Sequence, residues 1–182
     1  MRWVKWIGWV ISAIAVVILI VLFLPVFTMR TDCGAPPGQN TAYNLKNAIS
    51  AYFTEYREFP LRSPDIDITV DTGERLMDIL LGSEVEKEQT GRNPRGIVFY
   101  SDKAAKPMEE ARFRKGLTLD PQGGGELWDP WGNFYRVLFD SNFDNHVENP
   151  EAPGTFLPES ILVWSAGKDG DFATWKDNVK TW

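Results

Sequence analysis

The C-terminal tail concentrates the side chains best suited to holding a metal ion. Three carboxylates lie within one short segment around Gly170, and a hydroxyl and an amide flank them. The candidate ligands are Asp169, Asp171, Asp177, Ser165 and Asn178. Calcium takes about six to eight oxygen ligands from carboxylates, amides and backbone carbonyls. The segment is therefore a candidate cation site, and the residues alone leave a solvated acidic turn as the alternative interpretation.

The remaining residues offer little for catalysis. His146, the only histidine, lies in an Asn- and Asp-rich segment, and no serine stands in a Gly-x-Ser-x-Gly setting. Glu55 and Glu58 fall on the predicted solvent side of a helix, which is a poor place for a general acid or base. The cluster of Asp140, Asp144 and Glu148 is interpreted as a polar loop. We expect a protein that is not an enzyme.

Composition indicates a folded chain that does not bind nucleic acid. The 182 residues are 24% charged and 43% hydrophobic, which is typical of a globular protein. The formal net charge of -6 argues against a nucleic-acid surface, which would carry clustered Lys and Arg. The one cysteine, Cys33, has no partner for an internal disulfide.

The N-terminal segment predicts a membrane anchor. Residues 6–27 are uncharged and almost wholly apolar, long enough to cross a bilayer core of about 30 Å. Arg2 and Lys5 precede this run, which predicts a cytoplasmic N-terminus. We therefore expect a single-pass transmembrane anchor over 1–30, with the body on the opposite side of the membrane. A cleaved secretory signal is the alternative.

The body is predicted to have an α+β fold. Residues 31–39 contain two prolines flanked by glycines and are interpreted as a linker, which leaves 40–182 as the extracytoplasmic domain. An apolar stripe after a cap at Asn40 or Thr41 predicts a long helix that ends at Pro60. Further along, the patterns predict a short helix after residue 73 and strands at 96–100, 117–119, 134–139 and 160–164. We expect one long helix packed on a small antiparallel sheet.

One turn in the second half is predicted in detail. Asp129, Pro130 and Gly132 occupy the first, second and fourth positions of a four-residue segment completed by Trp131. These are the residue preferences of a type I turn. The strand predicted at 134–139 follows it directly.

Three segments together resemble the major pseudopilin of type II secretion systems and its type IV pilin relatives. Residues 44–60 are similar to the helix that follows the membrane segment in that family and ends in an aromatic-Pro pair. Residues 129–135, Asp-Pro-Trp-Gly-Asn-Phe-Tyr, resemble the family's turn and strand. Residues 163–170, with Asp177 and Trp182, are similar to its Ser-x-Gly-x-Asp-Gly loop and its ending. The resemblance implies calcium bound at Asp169 and Asp177, whereas Asp171 is added from spacing alone.

The N-terminus departs from that family. The resemblance implies a prepilin-peptidase site after a short basic leader, which would place cleavage between Gly8 and Trp9. Ala13 stands where the family has a glutamate, and residues 34–38 interrupt a helix that is continuous in the family. The alternative interpretation of Gly8 is an ordinary glycine of a membrane helix.

Two functions follow as expectations. The first is a structural subunit of a type II secretion or type IV pilus-like system. Its partners would be the inner membrane and other pilin-like subunits or secretion-machine proteins, in a homo-oligomer or filament. The alternative is an uncleaved single-span protein that binds or scaffolds a partner in the periplasm.

Overall fold

The computed structural model describes residues 35–61, 63, 65–88, 91–109 and 112–182, with Glu74 described by its backbone alone. Residues 35–182 form one compact unit. The described helices are α1 (Gln39–Tyr56), α2 (Glu74–Leu81) and a 3₁₀ turn at Val85–Lys87. The described strands are β1 (Ile68–Asp71), β2 (Lys106–Pro107), β3 (Phe113–Arg114), β4 (Gly116–Leu119), β5 (Gly125–Trp128), β6 (Tyr135–Phe139), β7 (Val147–Glu148), β8 (Phe156–Leu157), β9 (Ile161–Ser165) and β10 (Val179–Lys180).

The prediction of one long helix packed on a small antiparallel sheet is wrong. The described body is mostly β, with four antiparallel sheets and two α-helices of 18 and 8 residues. Three of the sheets are two-stranded ribbons, β2–β3, β4–β5 and β7–β8. Their strands are two to four residues long, too short for a readable alternation of apolar and polar side chains. The segments 103–116 and 140–159, to which the sequence patterns assigned no strand, therefore contain paired strands.

The main sheet has the order β1-β6-β9-β10, and all of its pairs are antiparallel. Its inner face carries Val137 and Val163, which pack in one core with Leu45, Ile49 and Tyr52 of α1. All five side chains are fully buried. The stripe predicted on α1 therefore does face a sheet, although that sheet is only one of four.

The outer face of the main sheet is also covered. Leu138, Leu162 and Trp164 point away from the helices and form a second cluster with Val147. Partly buried side chains of β8 and the C-terminal tail pack on it: Leu157, Phe172, Trp175 and Trp182. Because both of its faces are buried, β9 is a continuous run of apolar residues up to Ser165 rather than an alternating pattern.

Helix α1 begins and ends earlier than predicted. Its N-cap is Gly38, in a left-handed conformation with a φ of 88°, so Asn40 and Thr41 lie inside the helix. Its last residue is Tyr56, because Arg57 turns left-handed and donates its backbone N–H to the Phe53 carbonyl. Pro60 is buried beyond the helix end and does not terminate it.

The middle of the chain agrees with prediction only in part. The short helix predicted after residue 73 is α2, and it ends at Gly82, which has a φ of 68°. Residues 96–100 are not a strand. Instead, the backbone N–H groups of Phe99 and Tyr100 both donate to the Leu80 carbonyl. This segment is therefore held by the end of α2 rather than by a sheet.

The predictions for the N-terminus lie outside the described residues. They concern the anchor at 1–30, the start of the linker and the processing site at Gly8 and Trp9. Among the residues that are described, no helix is both long enough and apolar enough to cross a bilayer.

Candidate functional site

Asp129 closes the turn between β5 and β6. Its Oδ1 accepts the backbone N–H groups of Trp131 and Asn133, each at 2.8 Å. The side-chain amide of Asn133 donates to Asp129 Oδ2 at 3.4 Å, and Gly132 N donates to the Asp129 carbonyl at 3.4 Å. The turn predicted at 129–132 is therefore present, and its own aspartate holds it closed.

The carboxylate of Asp129 is buried in the protein. The residue is 0% exposed. Burial raises the pKa of this carboxyl, while hydrogen bonds from Asn133, Trp131 and Ser165 act in the opposite direction. A buried carboxylate is costly unless donors satisfy it, so these contacts are what makes the position tenable.

Asn133 links this turn to the loop that follows β9. The same amide nitrogen that donates to Asp129 also donates to the Gly167 carbonyl at 3.1 Å. Ser165, fully buried at the end of β9, accepts the Gly167 N–H at 3.3 Å and interacts with the Asp129 carboxylate. Two segments of the family resemblance, 129–135 and 163–170, are thus in direct contact.

The residue before α1, Gly38, also contacts the Asp129 turn. The Tyr135 hydroxyl donates to the Gly38 carbonyl at 3.3 Å. A Cβ on Gly38 would lie 3.0 Å from Pro130 Cδ and 2.9 Å from the Tyr135 hydroxyl oxygen, so only glycine allows this close approach. The resembling segment 44–60 lies on the helix that Gly38 caps, and its Leu45 and Ile49 pack in the same core as Tyr135 and Val163.

The predicted calcium ligands shape the loop after β9. Asp177 Oδ2 accepts the backbone N–H groups of Lys168 at 2.7 Å and Asp169 at 3.2 Å. Asp169 Oδ1 accepts the Asp171 N–H at 2.9 Å, and its other oxygen accepts the Thr174 hydroxyl. These bonds, the Thr174 contact first, hold the pKa of Asp169 below its ordinary value. These bonds occupy both oxygens of Asp169 and one oxygen of Asp177, and a cation would share these oxygens through their remaining lone pairs.

The predicted ligands carry oxygen atoms of the type that calcium binds. One of these residues also has a buried oxygen that accepts no hydrogen bond. Asn178 Oδ1 is buried and has no hydrogen-bond partner, while its amide nitrogen donates to the Phe172 carbonyl. Ser165 instead faces the Asp129 side of the loop. Over the described residues, no three Asp, Glu, His or Cys side chains are gathered closely enough to hold a metal. A bound calcium would therefore draw on Asn178 and backbone carbonyls as well as Asp169 and Asp177.

The second acidic loop, after β6, is closed by its own backbone. Asp140 is 2% exposed and accepts the N–H groups of Asp144 and Asn145 at 3.1 and 3.0 Å. His146 is exposed, and its Nδ1 lies 3.0 Å from the Asp144 carbonyl oxygen. Both oxygens of Asp140 are thereby used in holding the loop.

A shallow groove of about 680 Å³ lies on the outer side of the main sheet. Its lining includes Asp71 and Arg136 of the main sheet together with Glu148, Asn149 and Pro150. The Arg136 guanidinium stacks 3.7 Å above the Phe172 ring, which connects the groove to the C-terminal tail. The groove is mixed in charge and was not predicted from sequence.

Sequence reasoning missed Asn133 as the link between the two C-terminal motifs. The signal was its place directly after the Asp-Pro-Trp-Gly turn, within the resemblance segment.

Comparison with known proteins identifies no relative of this chain, since no family model, no curated protein and no solved structure matches it. The pseudopilin resemblance therefore stays a prediction.

Proposed function

We propose that this chain is a structural subunit of a type II secretion or type IV pilus-like assembly. Its apolar N-terminal run would anchor it in the inner membrane, with the body on the periplasmic side. The observation that carries the proposal is the direct contact of two resembling segments, 129–135 and 163–170, around Asp129, with the third, 44–60, packed in the same core. Residues far apart in the chain are similar to one family, and they build one site here.

The proposal does not depend on the helix-on-sheet architecture that the structure contradicts. It rests on the bond from Asn133 to Gly167 and on the close approach of Gly38 to Pro130. These contacts join the start of the body, which is closest in sequence to the predicted anchor, to its C-terminal loop. A subunit of an assembly gains from such a connection, because the surface near the anchor and the surface at the tail then keep a fixed geometry.

Calcium is the second part of the proposal. Asp169, Asp177 and Asn178 would hold the ion together with backbone carbonyls of the same loop. Calcium supplies positive charge to a segment whose own side chains are largely acidic, and it would tie the tail to the end of β9. The unmet acceptor on Asn178 supports this assignment.

The alternative is an uncleaved, membrane-anchored periplasmic protein that binds or scaffolds a partner. The groove beside Arg136 favours it, because it offers a partner both charge and apolar surface. The alanine at position 13 and the prolines at 36 and 37 favour it too, since they depart from the family at the segment used for filament packing.

The intact mass of the protein from its native membranes separates the two functions. If the chain is processed as an assembly subunit, we expect a mass that begins at Trp9. Cleavage there requires the peptidase to accept the leader ending in Gly8. A mass that begins at Met1 would contradict processing and favour the permanently anchored scaffold.

Calcium removal is expected to lower the thermal midpoint of the full chain in detergent. A ligand that binds only the folded state stabilises it by about 2.7 kcal/mol at a concentration of about 100 times its Kd. For a domain of this size, that corresponds to a shift of several degrees. The measurement is thermal unfolding with calcium and with excess chelator.

Variants locate the calcium effect. Asp169→Ala should abolish the response to calcium, whereas Asp144→Ala, in the other acidic loop, should leave it unchanged. Magnesium at the same concentration is the ion control. An identical midpoint with calcium and with chelator would rule out this part of the proposal.

A further inference from the structure

The ribbon of β2 and β3 is a local concentration of positive charge on an acidic protein. We call residues 103–115 the basic hairpin. They contain five basic residues, Lys103, Lys106, Arg112, Arg114 and Lys115, against the two acidic residues Glu109 and Glu110. The whole chain carries a net charge of -6. The basic hairpin therefore presents a sign of charge opposite to that of the protein as a whole.

All five basic side chains are exposed. Within the part of the chain that the structure describes, none of them forms an ion pair, whereas Lys46, Arg92 and Lys180 all do. Lys106 and Arg114 are direct partners across the ribbon, which places two cations side by side. Like charges directly opposite each other destabilise a strand pair, so this arrangement is unfavourable unless an anion neutralises it.

The turn end of the basic hairpin adds apolar surface. Pro107 and Met108 are exposed there, and Met108 retains 38% of its accessible surface. Together with Arg112 and Arg114 they line a depression of about 430 Å³, to which Glu109 also contributes. Apolar side chains flanked by cations are typical of surfaces that contact a membrane interface.

The basic hairpin lies beside the point where the body begins. Arg112 Nη2 donates to the Gly132 carbonyl at 2.5 Å, and a Cβ on Gly132 would lie 2.9 Å from Met108 Sδ. The same turn contacts Gly38 through Pro130. Gly38 is only eleven residues after the apolar run that ends at Phe27. The basic hairpin is therefore packed against the turn that contacts the part of the body closest in sequence to the predicted anchor.

We propose that the basic hairpin binds the anionic surface of the membrane through lipid headgroup phosphates. The exposed Pro107 and Met108 favour a lipid surface over a soluble acidic partner, because they would enter the headgroup layer. Each Lys or Arg near an anionic membrane strengthens its binding by about fivefold. Five such residues would orient the body relative to the bilayer. The proposal shares with the proposed function only the membrane location, and it requires neither processing nor calcium.

Lysine footprinting of the full chain in lipid nanodiscs tests this contact. The chain is placed in discs of phosphatidylcholine alone or of phosphatidylcholine with phosphatidylglycerol, and acetylation rates are read by mass spectrometry. In anionic discs we expect Lys103, Lys106 and Lys115 to react about fivefold more slowly than in neutral discs. Lys168 and Lys176, exposed in the acidic tail, are internal controls that should not change. If residues 6–27 do not insert, the hairpin still meets the disc from solution and the same difference is expected.

Charge variants and salt complete the test. Lys106→Gln with Arg114→Gln should restore the reactivity of Lys103 and Lys115, whereas Lys168→Gln with Lys176→Gln should not. High salt should also remove the protection, because the Debye length falls to about 3 Å at 1 M. Equal rates in neutral and anionic discs would overturn the proposal.

Two further outcomes would identify a different binding partner. Protection in neutral discs by inorganic phosphate would assign the site to a free anion. Protection that rises with the number of chains per disc would assign it to a second copy. Either result overturns membrane binding.

Discussion

Asp129→Ala is expected to lower the free energy of unfolding by about 3 kcal/mol, since each buried donor left unsatisfied costs about 1–3 kcal/mol. The substitution removes the acceptor for the N–H groups of Trp131 and Asn133 and for the Asn133 amide. It also removes the contact with Ser165. The desolvation cost of the carboxylate is relieved at the same time, so the losses do not simply add. Urea denaturation of the full chain in mild detergent measures the effect.

Two control variants isolate the role of the acceptor. Asp129→Asn keeps an oxygen for the two backbone N–H groups and should cost far less than the alanine variant. Asp171→Ala removes an exposed carboxylate with one local bond to Ala173 and should change stability by about 0.5 kcal/mol or less. If Asp129→Ala were no more costly than Asp171→Ala, the turn would not be the centre of the site.

Comparison of the wild type with Asp129→Asn also reports the protonation of Asp129. Its folded-state pKa is raised by burial above the ordinary value of 3.8. The folded state therefore binds this proton more tightly than the unfolded state does, and protonation favours folding. Relative to Asp129→Asn, the wild type should gain stability as the pH falls from neutral towards 3.8. That gain is complete below the unfolded-state pKa and is lost as the pH rises through the folded-state pKa.

Patterns of buried side chains were readable where an element is long. The stripe of Leu45, Ile49 and Tyr52 predicts a covered helix face, and the segment 160–164 predicts a strand, which the structure has at 161–165. Both follow from burial, which demands apolar side chains at regular spacing. The bounds were less accurate. Arg57 ends α1 by adopting a left-handed conformation, and no propensity of arginine signals that.

The candidate site was predictable in its residues and not in its connections. The Asp129 turn follows from local preferences within four residues. The bond from Asn133 to Gly167 joins positions 34 residues apart, and no local pattern encodes such a pairing. The basic hairpin was missed for a related reason. Its cations are dispersed along 103–115, and only the pairing of Lys106 with Arg114 gathers them on one ribbon.

The segment between α2 and β4 was the least predictable part of the body. The buried side-chain amide of Asn93 holds much of this segment in place. Asn93 is 0% exposed. Its Nδ2 donates to the Ile79 carbonyl at 2.8 Å and to the Ile97 carbonyl at 2.7 Å. Its Oδ1 accepts the Tyr56 hydroxyl at 2.7 Å and the Ile97 N–H at 3.0 Å. One side chain thus joins the end of α1, the end of α2 and the segment at 96–100.

Asn93→Ala is therefore expected to lower the free energy of unfolding by about 3 kcal/mol, since it leaves several buried polar groups unpaired at once. Asn142→Ala, which removes only two exposed bonds with Asp144, is the matched control and should have little effect. Tyr56→Phe removes one of the four bonds and should cost about 1 kcal/mol. In the double variant this cost should largely disappear, because Asn93 no longer accepts the hydroxyl. Urea denaturation measures these costs. If the costs of the two single variants add fully in the double variant, the bond between Tyr56 and Asn93 contributes nothing to stability. A small cost for Asn93→Ala alone would show that another contact holds this segment.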